Sequence, residues 1–342
     1  MANVTILVPM YNVEKYVSKC LDSLISQTYK DIEIWAVNDG SPDNSRNIVL
    51  DYAAKDSRIK LIDKENGGYG SVLQMGIKKI KSPYFLICDP DDWLEPTAIE
   101  KLYNFSLKSN LDLAVGDYYD VFVGDKNKHV VHFIKNITPY KVYTEEKDIQ
   151  RFSFGAVSPH AKLFRTSIVK NIVLPMRVNY TDFILYIYAL TNAKRVSYID
   201  IPLANYLKDR PNNSVTNVNP SRLKDHAVVW NGAFNQIPIK KENSVILQRL
   251  YEAVLGNLIV YSLYSNDYFH DKYWKYILDT VREVRKAAPI LKSNFNGTIV
   301  NKIIMNGLLN KKFYIRYSRN YVLYISKKNK LRETIKKFRS KS

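Results

Sequence analysis

Cysteine is scarce in this 342-residue sequence: only Cys20 and Cys88 occur. Both stand among apolar residues, one on an expected helix and one on an expected strand. They read as buried free thiols of a reducing compartment, not as a disulfide framework. No apolar run reaches the roughly 18 residues that a membrane-spanning helix needs. The first apolar run, Val4 to Val8, is too short for a secretory signal and lacks a basic lead. The chain is therefore expected to be cytoplasmic. No internal repeat is visible. Acidic residues are nearly missing from one end: from Lys311 onward there are 12 Lys plus Arg and a single acid, Glu333.

That imbalance locates much of the formal net charge of +18. A basic balance implies a polyanionic partner. Its concentration in the tail argues against a basic groove in the body of the protein, and nucleic acid is not the expected partner. Leu331, Ile335 and Phe338 recur at helical spacing among Lys and Arg, the pattern of an amphipathic helix lying on an anionic membrane surface. The tail thus predicts peripheral attachment to the inner face of the membrane; the competing readings are a solvated terminal helix and pairing with a second copy of the chain in a homo-oligomer. The 26 tyrosines suit faces that meet sugars, partners or a membrane boundary.

The first half alternates strand and helix. Apolar runs at Val4–Val8, Ile32–Val37, Ile59–Ile62 and Tyr84–Cys88 read as strands. Between them, Val13, Val17, Leu21 and Leu24 recur at helical spacing, and residues 44–54 and 71–80 read as further helices. Such alternation implies an α/β fold, a Rossmann-like, mixed but mostly parallel sheet flanked by helices. Short strands with a turn at Gly124-Asp125 fill residues 111–134. Residues 222–236, 242–265 and 271–288 have helical periodicity, and Pro289 is expected to stop the last of them. A boundary near 218 divides an α/β domain, residues 1–218, from an all-α C-terminal extension, residues 219–342, that carries the basic amphipathic tail.

In open parallel sheets, ligands bind beyond the carboxyl ends of the strands. The four segments that follow the expected strands are Pro9-Met10-Tyr11-Asn12, Asn38-Asp39-Gly40-Ser41, Glu65-Asn66-Gly67-Gly68 and Asp89-Pro90-Asp91-Asp92. All are polar and turn-forming. Three carboxylates within four residues repel one another unless a cation screens them. Mg²⁺ and Mn²⁺ prefer oxygen ligands and take few protein carboxylates beside phosphate oxygens. The pattern therefore points to a divalent cation that clamps a diphosphate. The competing reading is an acidic turn capping the next helix.

Three stretches resemble family 2 glycosyltransferases of the GT-A fold: Val8-Pro9-Met10-Tyr11-Asn12 with Glu14-Lys15-Tyr16, Val37 to Ser45, and Asp89-Pro90-Asp91-Asp92-Trp93. The resemblance covers residues 3–215. It implies an inverting, metal-dependent transferase that moves a hexose or N-acetylhexosamine from a UDP-sugar to a hydroxyl acceptor. The acceptor would be a glycan, a lipid-linked oligosaccharide or a glycoprotein. It implies Asp91 as the direct ligand of Mn²⁺ or Mg²⁺, Asp89 at the ribose or a water beside the metal, and Asp39 at the base. Pro9 and Tyr11, with Asn12, would line the nucleotide pocket, and Asn66 and Gly67 would let backbone approach the donor. Where the family carries a Glu-Asp pair, this chain reads Thr181-Asp182, so Asp182 is the expected catalytic base; the competing reading is a helix cap. Tyr198 to Leu203, followed by Lys208, Arg210 and Ser214, also resembles the family, which implies a mobile loop closing over the donor diphosphate; the competing reading is a solvated basic loop. His160 stands where the family has Trp and reads as a structural histidine. The alternative function is a degenerate, non-catalytic nucleotide-sugar-binding module.

Overall fold

A computed structural model describes residues 2–125, 127–209, 220–264 and 273–294. Strand β1 (Val4–Met10) is buried at all seven positions, as a central strand covered on both faces must be. It pairs in parallel with β2 (Ile32–Asn38) and β4 (Tyr84–Ile87), and β2 pairs in parallel with β3 (Ile59–Asp63). The crossovers are helices α1 (Val17–Ile25), α2 (Ser45–Ala53) and α3 (Tyr69–Lys79). Helix α1 buries Val17, Cys20, Leu21 and Leu24, one stripe at helical spacing. Val13 is buried too, but it lies before the helix, and its carbonyl accepts the amides of Tyr16 and Val17. Cys20 and Cys88 are buried free thiols with their sulfurs 3.6 Å apart.

The sheet then turns mixed. After β5 (Trp93–Leu94) and α4 (Ala98–Lys108) come β6 (Leu113–Val121), β7 (His129–Val131), α5 (Glu146–Arg151), β8 (Lys162–Arg165), α6 (Thr181–Asn192) and β9 (Val196–Leu207). The strand order is β3-β2-β1-β4-β8-β6-β9-β5, with β7 on β6. β8 runs antiparallel to β4 and β6, whereas β9 runs parallel to β6. The expected loop at Tyr198–Leu203 is in fact part of β9. Pro202 is accommodated there because the register with β6 shifts around Gly116 and Asp117.

The chain divides into two compact units near residue 217, with 235–237 rejoining the first. The second contains α7 (Pro220–Phe234), α8 (Ser244–Tyr264), α9 (Trp274–Lys286) and α10 (Ala288–Asn294). Leu247, Leu250 and Val254 of α8 are buried, as are Ile277, Val281 and Val284 of α9. Helix α9 ends at Lys286, and Pro289 falls in the first turn of α10, where its missing amide costs nothing. No described helix is long and apolar enough to cross a membrane. Arg210, Ser214 and the basic tail lie outside the described residues.

Candidate active site

The cleft opens where β1 and β4 part. Their pairing ends at Leu7 and Ile87, so Pro9 falls where β4 has already turned away. The loops after β1 and β2 brace each other. The Asn12 amide donates to Ser41 Oγ at 2.7 Å, the Glu14 amide to Asp43 at 2.8 Å, and the Asn44 amide to Glu14 at 3.0 Å. Asp43 also accepts from the Ser41 and Ser45 hydroxyls, both at 2.6 Å. Much of the Asn-Asp-Gly-Ser-Pro-Asp-Asn-Ser stretch is therefore architectural. It fixes Tyr11, which is 52 % exposed, and Asn12, whose left-handed backbone (φ 55°) is a strained conformation of the kind found at binding sites.

Asp39 is buried at the end of β2. Its carboxylate accepts the amides of Gly67 at 3.0 Å and Gly68 at 2.7 Å, and it pairs with Lys64. Lys64 in turn donates to Ser71 Oγ at 2.8 Å. Asp39 thus anchors the glycine turn that opens α3, with Asn66 exposed at its tip. Gly68 has φ +79°, and a Cβ there would sit 3.0 Å from the Arg177 Cα. A Cβ on Gly70 would lie 2.3 Å from the Pro175 carbonyl and 2.9 Å from Thr181. That glycine lets α3 approach the start of α6, and it explains the buried Thr181 where the resemblance expects an acid.

The three carboxylates after β4 do different things. Asp92 is buried; it bonds His160 Nε2 at 2.5 Å and accepts the Leu207 amide at 2.9 Å. Asp89 accepts the Tyr69 hydroxyl at 3.0 Å. Asp91 is partly exposed beside them. His160 stacks on Tyr206 with ring centroids 4.4 Å apart, and its buried Nδ1 has no hydrogen-bond partner. Ligand atoms of Asp89, Asp92 and His160 lie within 4.8 Å of one another. Burial, and then the neighbouring Asp92, push the Asp89 carboxyl up to about 8, against the opposing pull of His160. A cation among these residues would relieve the repulsion of the carboxylates, and the oxygen-rich donor set with one imidazole fits a divalent metal.

Ala161, with φ 50°, turns the chain between His160 and Lys162 and leaves both side chains buried. Lys162 donates to the Ser158 carbonyl and lies over the Tyr186 ring at 5.0 Å. Burial lowers it to about 7, and Asp182 opposes that shift. Asp182 stands in the first turn of α6, one turn before Tyr186, and its carboxylate is drawn on by the backbone amides there. Burial raises its carboxyl, while His160 and Lys162 pull it down. The charge of Asp182 also acts on Tyr69, Asp89 and His160, so the acids of two distant segments share one cleft. Lys208 lies over the Tyr206 ring at 4.3 Å and pairs with Asp120 at 3.4 Å. Lys64, Tyr69, His160 and Lys162 join the site without having been assigned to it from sequence.

The raised Asp89 carboxyl gives a test. A carboxyl raised on folding adds stability that is full below about pH 4 and lost as the pH climbs through about 8. Asp89→Asn cannot ionise. In EDTA its stability should therefore gain on the wild type between about pH 4 and 8, by on the order of 1–3 kcal/mol. Urea unfolding at pH 5 and pH 9 measures this; an equal gap at both values would mean that Asp89 is not held against its charge.

Comparison with known proteins identifies the frame. Residues 5–173 match the model of glycosyl transferase family 2. An uncharacterized glycosyltransferase of Rickettsia typhi is 32 % identical over 265 residues, which is 75 % of this chain and 79 % of that one. Glycosyltransferase GlyA of Streptococcus pneumoniae is 35 % identical over 176 residues, 49 % of this chain but only 25 % of GlyA. The crystal structure of S. aureus TarS residues 1–349 in complex with UDP-GlcNAc has the same fold, with a TM-score of 0.73 at 19 % identity over 94 % of this chain and 91 % of that one. The alternating sheet, the acidic turn after β4 and these matches together place the chain in glycosyltransferase family 2.

Proposed function

We propose that the chain transfers a hexose or N-acetylhexosamine from a UDP-sugar to a hydroxyl of a glycan, lipid-linked oligosaccharide or glycoprotein, with inversion at the anomeric carbon. The observation that carries this reading is the meeting of Asp89, Asp91 and Asp92, after β4, with Asp182, at the head of α6. UDP as the carrier is supported by the UDP-GlcNAc held in the TarS structure.

Asp182 is the base. As the acceptor oxygen attacks, a carboxylate on the face opposite the leaving diphosphate takes its proton. Burial raises Asp182 toward neutrality, which improves a base that must stay ionised in use, and Lys162 and His160 limit that rise. Pro9, Tyr11 and Asn12 line one side of the nucleotide pocket. Asp39 fixes the Asn66-Gly67-Gly68 turn on the other and stands at the base. Asp89, steadied by Tyr69, faces the ribose, and Lys208 supplies positive charge near the diphosphate, the part that the sequence alone also gives to Arg210. Asp91, with Asp89 beside it, would hold Mn²⁺ or Mg²⁺, which offsets charge on the leaving group when bound.

The stereochemistry tests the mechanism. With an α-linked UDP-sugar and an accepted hydroxyl compound, proton NMR of the first product should show the β-anomer. A product that keeps the α configuration contradicts a single displacement with Asp182 as base.

A further inference from the structure

We propose that the rim of the sheet opposite the acidic cleft carries a second anion site, which takes a phosphate-bearing ligand. Strands β4 and β8 run side by side in opposite directions between the two rims. Asp89 follows the end of β4 and His160 precedes β8, so both stand at the cleft. The residues before β4 and after β8 stand at the other rim. There a cavity of about 1000 Å³ is lined by Lys78, Lys79, Lys81, Arg165 and Lys170, together with Ser167, and no carboxylate of the described residues lines it.

Two of these cations build the groove. Lys170 donates to the Ile77 carbonyl at 2.8 Å and to the Ile80 carbonyl, closing the C-terminal end of α3. Arg165 donates to Asp112 at 2.9 Å and to Asn110 at 2.8 Å, and its guanidinium lies 5.0 Å from the Tyr84 ring centre. The other three, Lys78, Lys79 and Lys81, are exposed, and their amines have no hydrogen bond or ion pair among the described residues. Like charges held together in a concavity raise its potential and draw in anions.

The groove corrects the expectation that basic charge is confined to the tail. Residues 1–217 hold 27 basic and 25 acidic residues, nearly balanced. A lining of five cations without an acid is therefore a local concentration and not a consequence of overall charge. Flexible amines around an open cavity suit a phosphate group, whose oxygens accept several charge-assisted hydrogen bonds at once. A lipid headgroup and a soluble phosphate compound both offer that chemistry.

The test uses the full chain in EDTA, with inorganic pyrophosphate as probe and calorimetry as readout. Three variants are compared with wild type: Lys78→Ala/Lys79→Ala/Lys81→Ala, the same three positions changed to Arg, and Asp91→Ala. Flotation with phosphatidylglycerol and phosphatidylcholine vesicles forms the second arm. Because every variant keeps the basic tail, differences report the groove. The expected result is that wild type, Asp91→Ala and the Arg variant bind pyrophosphate alike, while the Ala variant binds at least about tenfold more weakly. Binding should also fade as salt rises past about 0.1 M. If flotation with phosphatidylglycerol falls in the Ala variant as well, the source is a headgroup; if flotation is unchanged, it is a soluble phosphate. The proposal is overturned if the Ala variant matches wild type in both arms, or if wild type binds neither probe.

Discussion

Replacing Asp182 with Asn is expected to cut turnover by about 10²–10⁴-fold, the range associated with losing a general base, while UDP-sugar affinity stays near that of wild type. The substitution keeps size and shape and removes only the ability to accept a proton. It also separates two roles. Asp182 lies in the first turn of α6, where an acidic side chain favours the helix N-terminus. If that were all it did, Asn would serve nearly as well and both stability and turnover would survive. A large fall in kcat with unchanged donor affinity and unchanged Tm identifies the base; near-normal kcat removes Asp182 from the chemistry.

The parallel half of the fold was legible because burial there follows simple periods. β1 is a continuous apolar run, and α1 shows a stripe at 3.6 residues per turn. The mixed half was less legible. β9 contains Asp200, Pro202 and Asn205, a composition that reads as loop, and only its pairing with β6 and β5 makes it a strand. β8 begins with Lys162, a residue type rarely buried, whose ammonium is satisfied by a carbonyl four residues back and by two aromatic rings.

The site divides in the same way. The acids after β4 announce themselves because three carboxylates in four residues are costly without a purpose. Asp39 was also legible as a rim residue, but its hold on the Gly67 and Gly68 amides and on Lys64 spans 25 or more residues and leaves no local trace. The Asp92–His160 bond spans 68 residues. The fit of Gly70 against Thr181 needs the three-dimensional path of two helices. One signal was available: a glycine that follows the turn by two residues, inside a helix, often marks close backbone approach.

Asp91→Ala is expected to abolish the stimulation of turnover by Mn²⁺, lowering metal-dependent activity by at least about 10²-fold while leaving the fold intact. Asp91 is partly exposed, so trimming it opens no core cavity. Its neighbours Asp89 and Asp92 keep their bonds to Tyr69 and to His160 with Leu207, so the variant removes one carboxylate from the acidic turn and leaves the rest of it in place. The same variant reports on affinity as well as rate, because a cation held by these acids must also bridge to the pyrophosphate of the nucleotide. Calorimetric titration with UDP, in Mn²⁺ and in EDTA, on wild type and Asp91→Ala, is therefore the most direct measurement. The expected result is that Mn²⁺ tightens UDP binding to wild type by at least about tenfold and does nothing for the variant. Equal UDP affinity in all four titrations would contradict a cation-and-pyrophosphate site in this cleft.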